Sequence, residues 1–171
     1  MSDELKGLYK FGGVAFIVSG LLFLSRALLE FMAGPPASSG VEILAWVESR
    51  KLALSFVSEV LFFAAMALVP AVIALYHSLA STDRAKAVMG CGIIATAIPV
   101  IAMLLVVQGR LVYPVYGIRV SSPAVAENIV AVFYGGMHAV GLTLGIATIV
   151  LSLAMMRGVY GKSVAYLGFA S

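Results

Sequence analysis

The stretch LALSFVSEVLFFAAMALVPAVIALYHSLASTDRAKAVMGCGIIATAIPVIAMLLVV, residues 52–107, decides the fold. It holds two apolar runs, each long enough for a helix to cross a bilayer, which takes about 20 residues. Between them lies only the polar link STDRAK, residues 81–86. So short a link forces the two runs into an antiparallel hairpin. Pro70 and Pro99 fall inside the runs. A membrane helix tolerates proline where neighbouring groups satisfy the freed carbonyl.

Working outward, a similar run from Phe11 to Met32 ends at Gly34-Pro35-Pro36, a helix terminator. Another covers Ile129 to Met156. The expected fold is therefore all-α: a transmembrane four-helix up-down bundle forming a single integral membrane domain over residues 1–171. Its spans cover about residues 11–32, 52–76, 87–107 and 129–156. In the first connector, VEILAWVESRK (41–51) predicts a short interfacial helix with Trp46 as its anchor at the membrane boundary. The third connector, residues 109–128, carries Tyr113 and Tyr116 and is expected to lie as a loop at the interface. Residues 157–171 read as a short tail.

Composition agrees. Apolar residues make up 62% of the chain and charged ones 11%, against about 45–50% and 25% in a soluble domain. Mean hydropathy is +1.08. That is too little polarity for a water-facing shell, so lipid is the solvent and the bilayer the first partner. The net charge of +3 is spread along the chain and forms no basic patch of the kind nucleic-acid binding uses. Cys91 has no second cysteine to pair with and no metal-ligand spacing; it reads as a buried small hydrophobe. The first apolar run is too long for a signal peptide and reads as an uncleaved span, and no lipidation motif stands at either end.

Lysines and arginines near the span ends set the orientation. Lys6, Lys10, Arg84, Lys86, Arg157 and Lys162 fall on one side, and Arg50, Lys51, Arg110 and Arg119 on the other. The excess of positive charge predicts cytoplasmic termini in a multi-pass protein of the cell membrane.

Ionisable residues inside apolar spans cost about 2.5–3.5 kcal/mol on insertion scales, and usually face protein or water. Arg26, Glu59 and His138 stand out among them, each roughly 7 Å from the midplane on the side away from the termini. Equal depth would let antiparallel helices bring them together. Glu30 stands one turn beyond Arg26 as a ready ion-pair partner. Two readings follow. Arg26 with Glu30 or Glu59 is a structural latch and His138 a packing residue; or Arg26, Glu30, Glu59 and His138, bordered by Tyr113 and Tyr116, line a ligand pocket. His77 reads as an interfacial residue. From His138, small residues recur at Gly141, Gly145, Thr148 and Ser152, and Gly141-Leu-Thr-Leu-Gly145 is a GxxxG pattern suited to close helix packing, within the chain first and between chains second.

No cofactor is expected. His77 and His138 are separated by roughly 25 Å of helix rise, too far to share a haem. One histidine with Glu59 falls short of a zinc site. No GxSxG elbow accompanies Ser25, Ser55 or Ser58.

AWVESRKLALSFVSEVLFFAAMALVPAVIALYHSL (45–79) joins an interfacial segment to a proline-bearing span that ends near an aromatic–His pair. In this, about the first half of the chain resembles the small polytopic membrane-protein families of bacteria and archaea classed as domains of unknown function. The resemblance implies a membrane protein and supplies no catalytic residues. The leading expectation is a non-enzymatic subunit or scaffold, assembling as a homo-oligomer or in a larger membrane complex. The alternative is a lipid- or quinone-type binding protein, or a membrane enzyme, using the Arg26/Glu59/His138 layer.

Overall fold

In a computed structural model, which describes residues 3–156 and 161–170, the decisive hairpin forms as two unbroken helices, α3 (Lys51–Leu79) and α4 (Arg84–Val112). Each has 29 residues, about 43 Å of rise, which exceeds the hydrocarbon core of about 30 Å and carries the ends into the headgroup layer. Asp83 caps α4 by accepting the Lys86 N–H at 3.2 Å, and its carboxylate also pairs with the Lys86 ammonium. Pro70 and Pro99 sit inside their helices without ending them.

The remaining elements are α1 (Asp3–Ala33), α2 (Gly40–Ser49), α5 (Pro123–Met155) and α6 (Gly161–Ala170). Four helices, α1, α3, α4 and α5, are long and apolar enough to cross a membrane. They pack as an up-down bundle in chain order: α1 on α3, α3 on α4, α4 on α5. This is a multi-pass membrane protein with lipid as its surroundings.

The apolar core follows the same order. Leu61 and Ala65 of α3, Ile101 and Leu104 of α4, and Phe133 and Val140 of α5 form its centre. Val72, Cys91, Ala147 and Leu151 continue it toward the end that holds the N-terminus. The Cys91 side chain is buried there and free. Glycine and serine set the close approaches. A Cβ on Gly12 would collide with Ala74, so α1 can lie tight on α3. Ser19 is fully buried at the same seam and donates to the Ala64 carbonyl at 2.9 Å. A Cβ on Gly90 would strike Leu151, joining α4 to α5.

Two expectations need correction, and a third gains detail. The third connector is shorter than 109–128, because α4 continues to Val112 and α5 starts at Pro123. Proline at the first helical position has no N–H to leave unpaired and a φ already suited to a helix. The tail is not featureless, since Gly161–Ala170 forms α6, which packs on α5. Arg157, counted in the charge balance, lies outside the described residues. Finally, Trp46 does not stand free in the interface. It is half-buried against the cluster of Ile43, Val47, Leu54, Val112 and Ala126, with its indole nitrogen enclosed. α2 itself forms as expected, capped by Ser39, but packs over the bundle end.

Replacing Gly12 with leucine is expected to lower stability in detergent by about 1–3 kcal/mol through overpacking against Ala74. Gly7→Leu, at a position with open space around it, is expected to leave the thermal midpoint unchanged. Equal midpoints for the two variants would contradict the α1–α3 seam.

Candidate functional site

One helical turn separates Arg26 from Glu30, and the pair forms: the guanidinium Nη2 lies 2.6 Å from Glu30 Oε1. Both side chains are mostly shielded, 14% and 25% exposed. Tyr134 of α5 sits in the field of both charges, and Phe23, Tyr134 and Met137 pack together against the core beside them. The Arg26 Nε is buried and has no hydrogen-bond partner. A buried N–H in that state is costly, and an added acceptor oxygen would satisfy it.

Glu59 has a different partner. It is exposed, and the Tyr113 hydroxyl donates to its Oε1 at 3.0 Å. Burial is the first cause holding the Tyr113 phenol above its ordinary value; its bond to the Ser55 carbonyl acts the other way, and the bond to Glu59 and that residue's charge add to the rise. The phenol therefore remains a donor. Tyr116 stands at the tip of the connector, 99% exposed. His138 is exposed too, and His77, in the last turn of α3, stacks edge-on to Tyr76 at 5.5 Å.

Among the described residues no hydrogen bond or ion pair joins Arg26, Glu59 and His138 to one another. Equal depth is necessary for meeting but does not set facing. Glu59 is two residues from Leu61, and His138 two from Val140; both neighbours are buried. Two residues turn about 200° around a helix, so each polar group faces away from the core side of its helix.

On α5, Tyr134, His138, Gly141, Gly145, Thr148 and Ser152 share one stripe at spacings of three and four. At its ends the stripe is covered. Tyr134 adjoins Arg26 and Glu30 of α1, while Gly168 of α6 lies so close on Ser152 that a Cβ there would collide with the hydroxyl. Between those ends it is open: nothing in the chain lies within 4 Å of where a Cβ on Gly141 or Gly145 would sit. The close packing expected of these two glycines within the chain is made instead by Gly12, Gly90, Gly136 and Gly168. α1 rests on α3 and makes little contact with α5, so this stretch of α5 is not packed against α1.

At the bundle end that holds the N-terminus, a cleft between α1 and the end of α5 opens into a cavity of about 630 Å³. Tyr9, Gly13 and Phe16 of α1, Ser78 of α3, Met155 of α5 and Val164 of α6 are among its walls. The lining is mainly apolar with a few hydroxyls, which is the make-up of a small-molecule site between helices. Sequence reasoning missed it, because Val164 belongs to a helix read as tail. It also missed Gln108, buried in α4, whose Oε1 lies 3.3 Å from the Ser58 hydroxyl. The spacing Ile101, Leu104, Gln108, Val112 marks that position as core-facing. Among the described residues no group of three His, Cys, Asp or Glu could hold a metal ion.

No protein family, curated protein or solved structure matches this chain. The chemistry of the cleft is therefore read from its own residues.

Glu30→Gln leaves the Arg26 charge without its counter-ion. It is expected to cost about 2 kcal/mol, less than for a fully buried pair because both side chains keep some exposure. The double change Arg26→Gln with Glu30→Gln removes the stranded charge and should recover much of that loss. Thermal midpoints in detergent give the comparison, and simple addition of the two single effects would contradict the pairing.

Proposed function

We propose that this small integral membrane protein binds an elongated apolar molecule with a polar end, of lipid or quinone type, in the cleft between α1 and α5. The observation that carries this reading is the apolar cavity of about 630 Å³ where α1, α3, α5 and α6 meet. Its size falls within the range of about 300–1,000 Å³ usual for ligand pockets. An apolar hollow forfeits dispersion contacts unless a chain of similar character fills it.

The rest of the cleft supports the same ligand. Gly141 and Gly145 leave a smooth, open stretch of α5 on which an apolar chain can lie. Phe16, at the cavity, and Arg26 are ten residues apart, about 15 Å of helix rise. A tail in the cavity thus reaches the level of Arg26 with its polar end. There the unpartnered Arg26 Nε can donate to a carbonyl or phosphate-ester oxygen, with the Tyr134 hydroxyl nearby. His138, on the same α5 stripe, gains a partner from such a headgroup. Glu59 and Tyr113 stand apart from this site and act as a surface pair.

A second reading, a subunit that assembles through α5, is favoured by the open Gly141-xxx-Gly145 face. Such a face is self-complementary and suits a two-fold pair of identical chains.

Native mass spectrometry of the full chain released from membranes separates the two. Ligand binding gives a monomer carrying one added apolar molecule, at least fivefold depleted by Gly13→Trp, which fills the cavity mouth. Equal occupancy in Gly13→Trp, at an unchanged thermal midpoint, would overturn the ligand reading. A doubled mass that collapses with Gly145→Leu would instead favour assembly.

The orientation proposed with this function places both termini in the cytoplasm. With Cys91 buried, a cysteine at Ser121 is expected to react with an impermeant maleimide in intact cells, and one at Ser163 only after the membrane is opened. The reverse pattern would invert the topology.

A further inference from the structure

At the bundle end opposite the apolar cavity lies a second pocket of about 270 Å³, different in character. It is bounded by the end of α2, the start of α3, the end of α4 and the connector that follows. Lys51, Arg110 and Arg119 line it, against a single carboxylate, Glu48. Among the described residues none of these four groups forms an ion pair. The neighbouring Arg50, by contrast, is already used: its guanidinium donates to the carbonyls of Met32 and Ala33 at the end of α1.

Two features make this a shaped site. Arg119 follows a tight turn in which Val115 and Ile118 exchange both backbone hydrogen bonds, at 3.2 and 3.0 Å. Tyr116 and Gly117 take the left-handed conformation, φ 51° and 78°, that a two-residue hairpin of this hand requires. The turn holds Arg119 over the pocket and spares it the freedom of a loose loop. Lys51 opens α3, whose first turn receives no side-chain cap. The negative dipole ends of α2 and α4 at the same pocket offset the positive end of α3, so the side-chain cations carry the field.

We propose that this pocket binds a phosphate-class anion, with Arg110 and Arg119 as the two-pronged donors and Lys51 as the point charge. Planar guanidinium forks match phosphate oxygens in pairs, and an ammonium completes the shell. Three cations sharing a pocket with one carboxylate repel one another, and an anion reduces that repulsion. The pocket sits where two membrane-spanning helices end, at the level of lipid phosphates, so the ligand is a phospholipid headgroup or a soluble phosphate ester reaching the same surface. Glu48 limits how much negative charge the site accepts.

The experiment titrates the full chain in mild detergent with two probes, inorganic phosphate and a short-chain phosphatidylglycerol, and follows bound mass by native mass spectrometry. Saturable binding of one probe molecule is expected, weakening as salt rises. Arg119→Gln, in the exposed connector, should weaken it about tenfold, and Arg110→Gln with Arg119→Gln about a hundredfold. Glu48→Gln should strengthen it, which a general loss of folding could not do. Lys86→Gln, at the far end of the bundle, should leave it unchanged. Saturation by the lipid alone identifies a headgroup site, and saturation by phosphate a soluble ligand. Saturation by neither, or wild-type affinity in the double variant, would overturn the proposal.

Discussion

Lipid accepts no hydrogen bonds, and every feature of this protein answers to that constraint. Within the bilayer the helices satisfy their own backbone. At their ends, where four groups of each helix are left over, the chain supplies partners from elsewhere. Arg50 donates to the last carbonyls of α1. Glu127, in the first turns of α5, accepts the Gly40 N–H of α2 at 2.6 Å. Gly34, with φ 72°, turns the chain out of α1 while its N–H bonds back to Glu30. Charged residues near the membrane surfaces thus serve largely as end-pieces for helices. Three that take no such part, Lys51, Arg110 and Arg119, converge on one pocket.

Sequential packing makes the bundle asymmetric. α4 is clasped between α3 and α5, whereas α1 leans mainly on α3. In water so one-sided an attachment would expose a large apolar face; in lipid that face is at no disadvantage. The opening beside α1 is therefore compatible with a stable protein, and both the apolar cavity and the open stretch of α5 follow from it. The buried polar contacts sit on the packed sides instead: Ser19 to Ala64, and Ser58 toward Gln108.

Residues 52–107 made the four-helix fold legible, because the length of an apolar run and the shortness of a link are both read directly from sequence. The Arg26–Glu30 pair was legible for the same reason, being local. Facing was harder. Depth along a helix follows from counting, but the side on which Glu59 or His138 falls depends on which neighbours are buried, and an all-apolar span conceals that. Every face of α3 or α5 is greasy enough to be the core face. Gly141 and Gly145 show the same limit, since glycine marks a possible approach without saying which surface makes it. The helix α6 was illegible because its close approach to α5 rests on a small residue, Gly168, set against Ser152.

The order of contacts also bears on how the chain is built. α1 meets α3, α3 meets α4 and α4 meets α5, so each span finds its main neighbour just before or just after it leaves the ribosome. Such local topology asks for little loop closure and lets the bundle assemble in the order of synthesis. The packing of α2 on α5 breaks that order. Gly40 and Glu127 are 87 residues apart, and α2 must wait beside a finished hairpin until α5 arrives. Closing α2 over the bundle is the step that ties the first third of the chain to the last, and it comes at the end of assembly.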